Sequence, residues 1–289
     1  MSAPRDVRAT SRDGTRVHGL EWGGGDAPAL IFVPGGTGNA WAAERIGTGP
    51  EGSLGRARRV LGISRRGMGL SDSPAAGYTP AHFADDVDAL VRAAGIERFV
   101  LFGHSMGAPI SIEYALRRPA GLQALVLGDA PARYLDFAAS GTFDQLFTRP
   151  FEFADWDEAF AQVGLGDRAR FDRVRHRYLH ERGGKVAILI DPTGLRRTVD
   201  ESRTAHTEYW DRLREITVPV LLLRATSGWS PLTDGDARRY IDALPALKLA
   251  PLPTAHDLGL NTDTAPLFAA LGTFLDEVDA RALARRSYP

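Results

Sequence analysis

The segment from Arg98 to Gly107 constrains this chain more than any other. Phe99 to Phe102 is a continuous apolar run, Gly103-His104-Ser105-Met106-Gly107 follows at once, and a helix-like stretch then runs to Pro119. Strand, sharp turn and helix in that order hold the serine in a strained backbone conformation, and only glycine at the flanking positions lets strand and helix approach closely. A serine so placed projects its Oγ from the C-terminal edge of a sheet, beside the first free N–H groups of a helix. Those are the donors an anionic tetrahedral intermediate needs, so Ser105 is a candidate nucleophile.

The flanking sequence predicts the fold class. Residues 5–10 and 15–22 read as strands around Asp13-Gly14, a hairpin signal. Ala29 to Val33 is an apolar run of the kind buried on both faces of a parallel sheet, and it ends in the glycine-rich turn Pro34-Gly35-Gly36-Thr37-Gly38. Residues 44–56 read as irregular. Arg59 to Ser64 is the next strand, and a long turn carries the chain to Pro74. Thr79 and Pro80 then start a helix whose apolar stripe is Phe83, Val87, Leu90 and Val91, with Gly95 as its stop. Strand 98–102, helix 106–118 and strand Leu122 to Leu127 follow, the last ending at Gly128-Asp129. Strand and helix thus alternate over residues 29–129, which predicts an α/β fold. Its mostly parallel central sheet is flanked by helices and has its site at the strand C-termini.

From 133 to 212 the alternation stops. Aromatics cluster first (Tyr134, Phe137, Phe143, Phe147, Phe151, Phe153, Trp156, Phe160), and an arginine-rich amphipathic stretch covers 167–182. This predicts an inserted helical cap at 133–212 between core parts at 1–132 and 213–289, with some of the aromatics lining a mainly apolar pocket. The cap arginines (Arg168, Arg170, Arg173, Arg175, Arg177) read as solvated helix faces rather than as a site for an anionic substrate. The core resumes with the strand from Val218 to Arg224, a helix near 234–244, a strand near 247–252, the loop Pro253-Thr254-Ala255-His256-Asp257 and a terminal helix from about 264 to 284.

Composition removes several classes of function. The 289 residues carry a net charge of −1, so no electrostatic footprint points to nucleic acid or to an anionic membrane. No cysteine is present, which excludes disulfides, thiolate chemistry and Cys-ligated metals. The first ten residues have no apolar core of a signal peptide, and no apolar run approaches the roughly 18 residues of a membrane span. The expectation is a soluble cytoplasmic protein with a small-molecule substrate, its oligomeric state left open. Gly47-Thr48-Gly49-Pro50-Glu51-Gly52 satisfies G-x-G-x-x-G by letters, but no strand precedes it and Pro50 lacks a donor a pyrophosphate would use. His176 and His180 stand at i and i+4, yet Arg177 follows where a zinc-protease helix has glutamate, and no third ligand is evident. Neither a cofactor nor a metal is expected.

A serine hydroxyl becomes nucleophilic when an imidazole accepts its proton and a carboxylate fixes that imidazole's tautomer. In a sheet of this kind the chain order is serine, acid, histidine. His256 fits, in a loop between the last strand and the terminal helix. His18 lies in the hairpin, His82 begins a helix, His176, His180 and His206 belong to the inserted segment, and His104 is expected to point away from Ser105.

Four pieces in order resemble the serine-nucleophile branch of the α/β-hydrolase superfamily over nearly the whole chain. They are Phe32-Val33-Pro34-Gly35-Gly36, Arg65-Arg66-Gly67-Met68-Gly69-Leu70-Ser71, Gly103-His104-Ser105-Met106-Gly107 and the His256 loop. The resemblance implies an oxyanion hole formed by the N–H groups of Met106 and Gly36. Many members have histidine where this chain has Pro34, a change that bears on loop packing more than on backbone donors. The usual place for the acid, the turn after strand 218–224, contains no carboxylate; Asp234 and Asp236 lie further on, and Asp234 reads as a helix N-cap. Some esterases of the superfamily, and the similar N-formylmaleamate deformylases, place the acid after the strand that follows the nucleophile helix, where this chain has Asp129. Asp129 is therefore the first choice, and Asp234 or Asp236 the alternative. The implied activity is hydrolysis of a carboxylic ester or lactone of a small, mostly apolar substrate through an acyl-enzyme. Amide, formamide or carbon–carbon bond hydrolysis is the alternative, and a non-catalytic binding protein the outsider. Halide displacement is disfavoured because the related dehalogenases have aspartate at the position of Ser105.

Overall fold

The apolar runs become the centre of a sheet. A computed structural model of the chain describes residues 3–48, 54 and 57–286. Six strands come first: β1 (Arg5–Thr10), β2 (Arg16–Gly23), β3 (Ala29–Val33), β4 (Arg59–Ser64), β5 (Phe99–His104) and β6 (Leu122–Gly128). Five short ones follow: β7 (Arg133–Tyr134), β8 (Glu152–Phe153), β9 (Leu179–Arg182), β10 (Lys185–Ile188) and β11 (Thr207–Glu208). The chain then returns through β12 (Val220–Ala225) and β13 (Lys248–Leu252). The main sheet has the order β1-β2-β4-β3-β5-β6-β12-β13. β2 pairs antiparallel with β1 and β4, and every other pairing in it is parallel.

Successive side chains of a strand point to opposite faces, and here both faces are covered. Ala29, Ile31 and Val33 of β3 join one core with Phe83, Val87 and Leu90 of the helix Pro80–Ala93 and Ile110 and Tyr114 of the helix Gly107–Leu116. Leu30 and Phe32 join the other, with Ala43, Ile46 and the Leu267, Leu271, Phe274 and Leu275 stripe of the helix Ala265–Arg286. The local signals act as expected. Gly14 turns the first hairpin at φ 90°, the Thr79 side chain accepts from the His82 N–H with Pro80 following in the first turn, and Gly95 takes φ 63° past the helix end.

Three features depart from the sequence reading. Glu44–Thr48 is a short helix rather than irregular chain. It contains Gly47 and Thr48, while Gly49 to Gly52 of the G-x-G-x-x-G match lie outside the described residues. The chain between β6 and β12 is not simply helical. Beside the helices Phe137–Ser140, Trp156–Val163, Arg168–Val174 and Pro192–Ala205 it forms a three-stranded sheet of order β8-β10-β9, and β7 pairs with β11. The arginine-rich stretch accordingly breaks in two: His176 sits in a 3-10 turn and His180 in β9, so their spacing puts no two ligands on one helical face. Among the described residues, no helix is long and apolar enough to cross a membrane.

Candidate active site

Ser105 lies between β5 and the helix Gly107–Leu116 with φ 53°, the left-handed region that non-glycine residues rarely enter. Its N–H donates to the Gly128 carbonyl at 2.8 Å, and its carbonyl accepts from the Ala108 N–H at 2.9 Å, so both sides of the strained residue are anchored. The flanking glycines are there for want of space. A Cβ on Gly103 would stand 2.2 Å from the Gly107 carbonyl oxygen, and one on Gly107 would stand 2.0 Å from that of Val33.

Asp129 follows β6, also left-handed at φ 48°, and is fully buried. Its N–H donates to the Leu223 carbonyl at 2.8 Å, which pins it against the end of β12. Oδ1 accepts from the Ala225 N–H at 3.0 Å and from the Ser230 hydroxyl at 2.7 Å, leaving Oδ2 for His256. The His256 loop beyond β13 brings Nδ1 to 2.7 Å from Asp129 Oδ2 and Nε2 to 2.9 Å from Ser105 Oγ. A carboxylate accepts from Nδ1–H, which leaves Nε2 to accept the serine proton. The structure thus brings Ser105, His256 and Asp129 into one line.

Asp234 and Asp236 are elsewhere. Asp234 is exposed and pairs with Arg224 at 2.6 Å. The N-cap of the helix Asp234–Ala243 is Thr233 rather than Asp234, and Asp236 closes a capping box with it. Both carboxylates serve that helix start.

The Pro34–Gly38 loop passes directly over Ser105: a Cβ on Gly35 would lie 3.1 Å from the Ser105 Cβ and 3.5 Å from its Oγ. Neither the Gly36 nor the Met106 N–H donates a hydrogen bond among the described residues. Met106 is the N-cap of the helix after Ser105, where N–H groups lack intrahelical partners. The Phe143 ring covers Gly36 so closely that a Cβ there would lie 2.4 Å from it.

His104 does not merely point away. Its Nε2–H donates to the His256 carbonyl at 2.7 Å, and the two rings lie 5.1 Å apart. Desolvation, with the nearby His256 adding to it, pulls its pKa down to about 4, so the ring is neutral at physiological pH. Trp229, 69% exposed, sets its ring T-shaped against His256 at 5.0 Å. The cavity beside Ser105 and His256 has a volume of about 300 Å³; its surface is mainly apolar, with Phe32, Trp41 and Leu260, and Asn39, Arg45, Arg177 and Asn261 add polar groups. None of the aromatics from Tyr134 to Phe160 lines it. Tyr134, Phe137 and Phe143 enter the core of the main sheet, whereas Phe153, Trp156 and Phe160 pack with Phe171 around the small sheet.

Residues 28–186 match the family model for the alpha/beta hydrolase fold. The chain belongs to the α/β-hydrolase superfamily. This hydrolase is 31% identical over 274 residues to N-formylmaleamate deformylase of Pseudomonas putida, covering 92% of the chain and 95% of the relative. It is 27% identical over 233 residues to a bifunctional esterase/perhydrolase of Acinetobacter calcoaceticus, covering 74% and 79%. Among solved structures, an alpha/beta hydrolase from Novosphingobium aromaticivorans superposes with a TM-score of 0.70 at 26% identity, covering 96% and 99%.

Sequence reasoning about this α/β-hydrolase misses three neighbours of the site. Ser230 and Trp229 stand in Thr226-Ser227-Gly228-Trp229-Ser230-Pro231, a loop without a carboxylate, whose signal is a hydroxyl and one large aromatic among small residues. Arg65 carries no local signal, because what it touches is distant in sequence: the carbonyls of Gly35 and Gly36.

Proposed function

We propose that this α/β-hydrolase is a serine hydrolase that cleaves carboxylic esters or lactones of small substrates through an acyl-enzyme. The observation that carries the reading is the unbroken line from Asp129 Oδ2 through His256 to Ser105 Oγ, at 2.7 and 2.9 Å. In the proposed cycle His256 Nε2 takes the Ser105 proton as Oγ attacks the substrate carbonyl, and the N–H groups of Gly36 and Met106 receive the negative charge on the carbonyl oxygen. His256 then protonates the leaving alkoxide. It next deprotonates a water that attacks the acyl-enzyme, releases the acid and restores Ser105. Ser105, His256, Asp129 and the two backbone donors suffice for this cycle. In this reading residues 133–212 act as a cap over core parts at 1–132 and 213–289, and Arg177 and Tyr178 are its contribution to the cavity.

A second reading keeps the machinery and changes the bond to an amide or formamide of a substrate bearing a carboxylate. It is favoured by Arg45, which lines the cavity and makes no ion pair among the described residues, whereas Arg177 there is paired with Glu44, and by the similarity to a deformylase over nearly the full length. The deciding experiment is intact-mass analysis after a fluorophosphonate, on wild type and Ser105→Ala, beside turnover of short p-nitrophenyl esters, lactones and N-formyl amides with and without a carboxylate. The expected result is a single adduct lost with Ser105→Ala, with turnover lost in step. Faster turnover of the anionic formamides than of any ester would move the second reading to first place. A folded wild type with neither adduct nor turnover would favour a non-catalytic binding protein.

A further inference from the structure

Two arginines follow β4, and they are buried in opposite ways. Arg66 is fully engaged: Nε and Nη2 donate to Asp86 at 2.9 and 2.6 Å, and Nη1 to Asp13 at 2.6 Å. Arg65 is equally inaccessible at 0% exposure, but it makes no ion pair among the described residues. Its Nη2 donates to the carbonyl oxygens of Gly35 at 3.0 Å and Gly36 at 2.8 Å. The guanidinium lies 5.2 Å from the centre of the Phe83 ring, and Nε and Nη1 have no partner among the described residues. Burial pulls the Arg65 pKa down to about 10, so the group stays charged at neutral pH.

A buried charge with no ion pair of its own is destabilising even with Asp86 and Tyr134 nearby, and an apolar side chain of similar length packs such a space at least as well. Packing therefore does not account for Arg65; its two carbonyl partners do. The Gly35 carbonyl and the Gly36 N–H belong to one trans peptide plane and point in opposite directions, and the same holds for the Gly36 carbonyl and the Thr37 N–H. The cavity at Ser105 touches Gly35, Gly36 and Thr37, whereas Arg65 is fully buried and is not part of its lining. Holding both carbonyls from behind turns both N–H groups to the Ser105 side. We propose that Arg65 is a positioning residue that sets and polarises the oxyanion donors of the Pro34–Gly38 loop. This rests on the acyl-transfer reading above. A fixed cation one peptide behind the oxyanion also favours the negative charge that develops there in a water-poor environment, and it requires no reorganisation during the reaction.

The test is kinetic, on the full-length enzyme with p-nitrophenyl acetate, comparing wild type, Arg65→Met and Arg65→Lys. In Arg65→Met kcat is expected to fall ~10- to 100-fold while KM moves less than about threefold, because the donors act on the tetrahedral state rather than on the bound ester. Inhibition by phenylboronic acid, which forms an anionic tetrahedral adduct, should weaken with kcat, and Arg65→Lys should recover part of both. The thermal midpoint of Arg65→Met should equal or exceed that of wild type. A kcat within about twofold of wild type in folded Arg65→Met would overturn the proposal. If that variant fails to fold, Arg65→Lys decides, and an unchanged kcat there overturns it equally. Should the wild type turn over no ester, the acyl-transfer reading has failed separately. Amide hydrogen exchange of residues 34–38 then decides: faster exchange in Arg65→Met supports the clamp, and unchanged exchange refutes it.

Discussion

The Ser230 hydroxyl donates to Oδ1 of Asp129 at 2.7 Å. The Ala225 N–H reaches the same oxygen at 3.0 Å, so one carboxylate oxygen is held by the β12 end while the other faces His256. A buried carboxylate deprived of one donor loses about 1.5–3 kcal/mol. Ser230→Ala is therefore expected to lower unfolding stability by that amount, read from urea titration, and to lower kcat/KM severalfold as Asp129 gains freedom to turn. Asp129→Asn should cost on the order of 10³- to 10⁴-fold in kcat, because an amide cannot fix the imidazole in the same tautomer and stabilise its cation. Asp234→Asn should leave kcat unchanged, since its partner is Arg224. Equal losses in the two asparagine variants would refute the assignment of Asp129.

His104 makes stability depend on pH. Its folded pKa is depressed to about 4 by desolvation and by His256, against roughly 6.5 for an unfolded histidine. Between those values the unfolded chain binds a proton that the folded chain does not, so stability rises with pH. The contribution is present in full above roughly pH 6.5 and is lost as pH falls toward 4. His104→Gln offers an uncharged N–H donor to the same His256 carbonyl and does not titrate. Urea midpoints at pH 7 and pH 5 should converge in His104→Gln relative to wild type. An identical drop in both proteins would show that His104 contributes nothing to the slope.

Much of the fold is legible in the sequence because its signals are local. The apolar run Ala29–Val33 spans a strand with both faces covered, and Asp13-Gly14 and Thr79-Pro80 mark a turn and a helix start by their own backbone chemistry. The line-up of Ser105, Asp129 and His256 is legible for a different reason: parallel strands must all end on one edge of the sheet, so residues just past β5, β6 and β13 meet there. The small sheet was less visible. Its strands have two to four residues, too short for period-two alternation to register, although Gly183-Gly184 between β9 and β10, at φ 58° and 78°, is a two-residue hairpin signal. The aromatic cluster misled because an apolar residue carries no mark of which surface it will cover, as Phe143 over Gly36 shows. Arg65 could not be separated from Arg66 by sequence; only their partners distinguish them.

Gly107 tests how little room the turn leaves. Gly107→Ala would place a methyl 2.0 Å from the Val33 carbonyl oxygen and 2.9 Å from that of Pro34, both backbone atoms that cannot rotate away. Either β3 or the helix start must shift, and the Pro34–Gly38 loop shifts with it. The expected loss is about 3 kcal/mol or more in urea unfolding, with kcat falling even where the protein stays folded. An alanine variant of full stability and activity would mean that the strand–helix contact is looser than described.

Trp229 offers the complementary case, a large side chain whose removal should spare the fold. It is 69% exposed, and its ring meets His256 at 5.0 Å in a T-shaped arrangement. Trp229→Ala removes little buried area, so stability should stay within about 0.5 kcal/mol of wild type. In the proposed cycle, an aromatic wall beside His256 would meet a leaving group as the histidine protonates it. Contacts between aromatic rings contribute roughly 0.5–1.5 kcal/mol, which corresponds to a ~2- to 10-fold rise in KM for phenyl esters in the alanine variant. Methyl esters of the same acids present no ring and should show no such rise, so the ratio of the two KM changes is the measurement. A parallel rise for both ester series would place the effect of Trp229 on His256 itself and not on the leaving group.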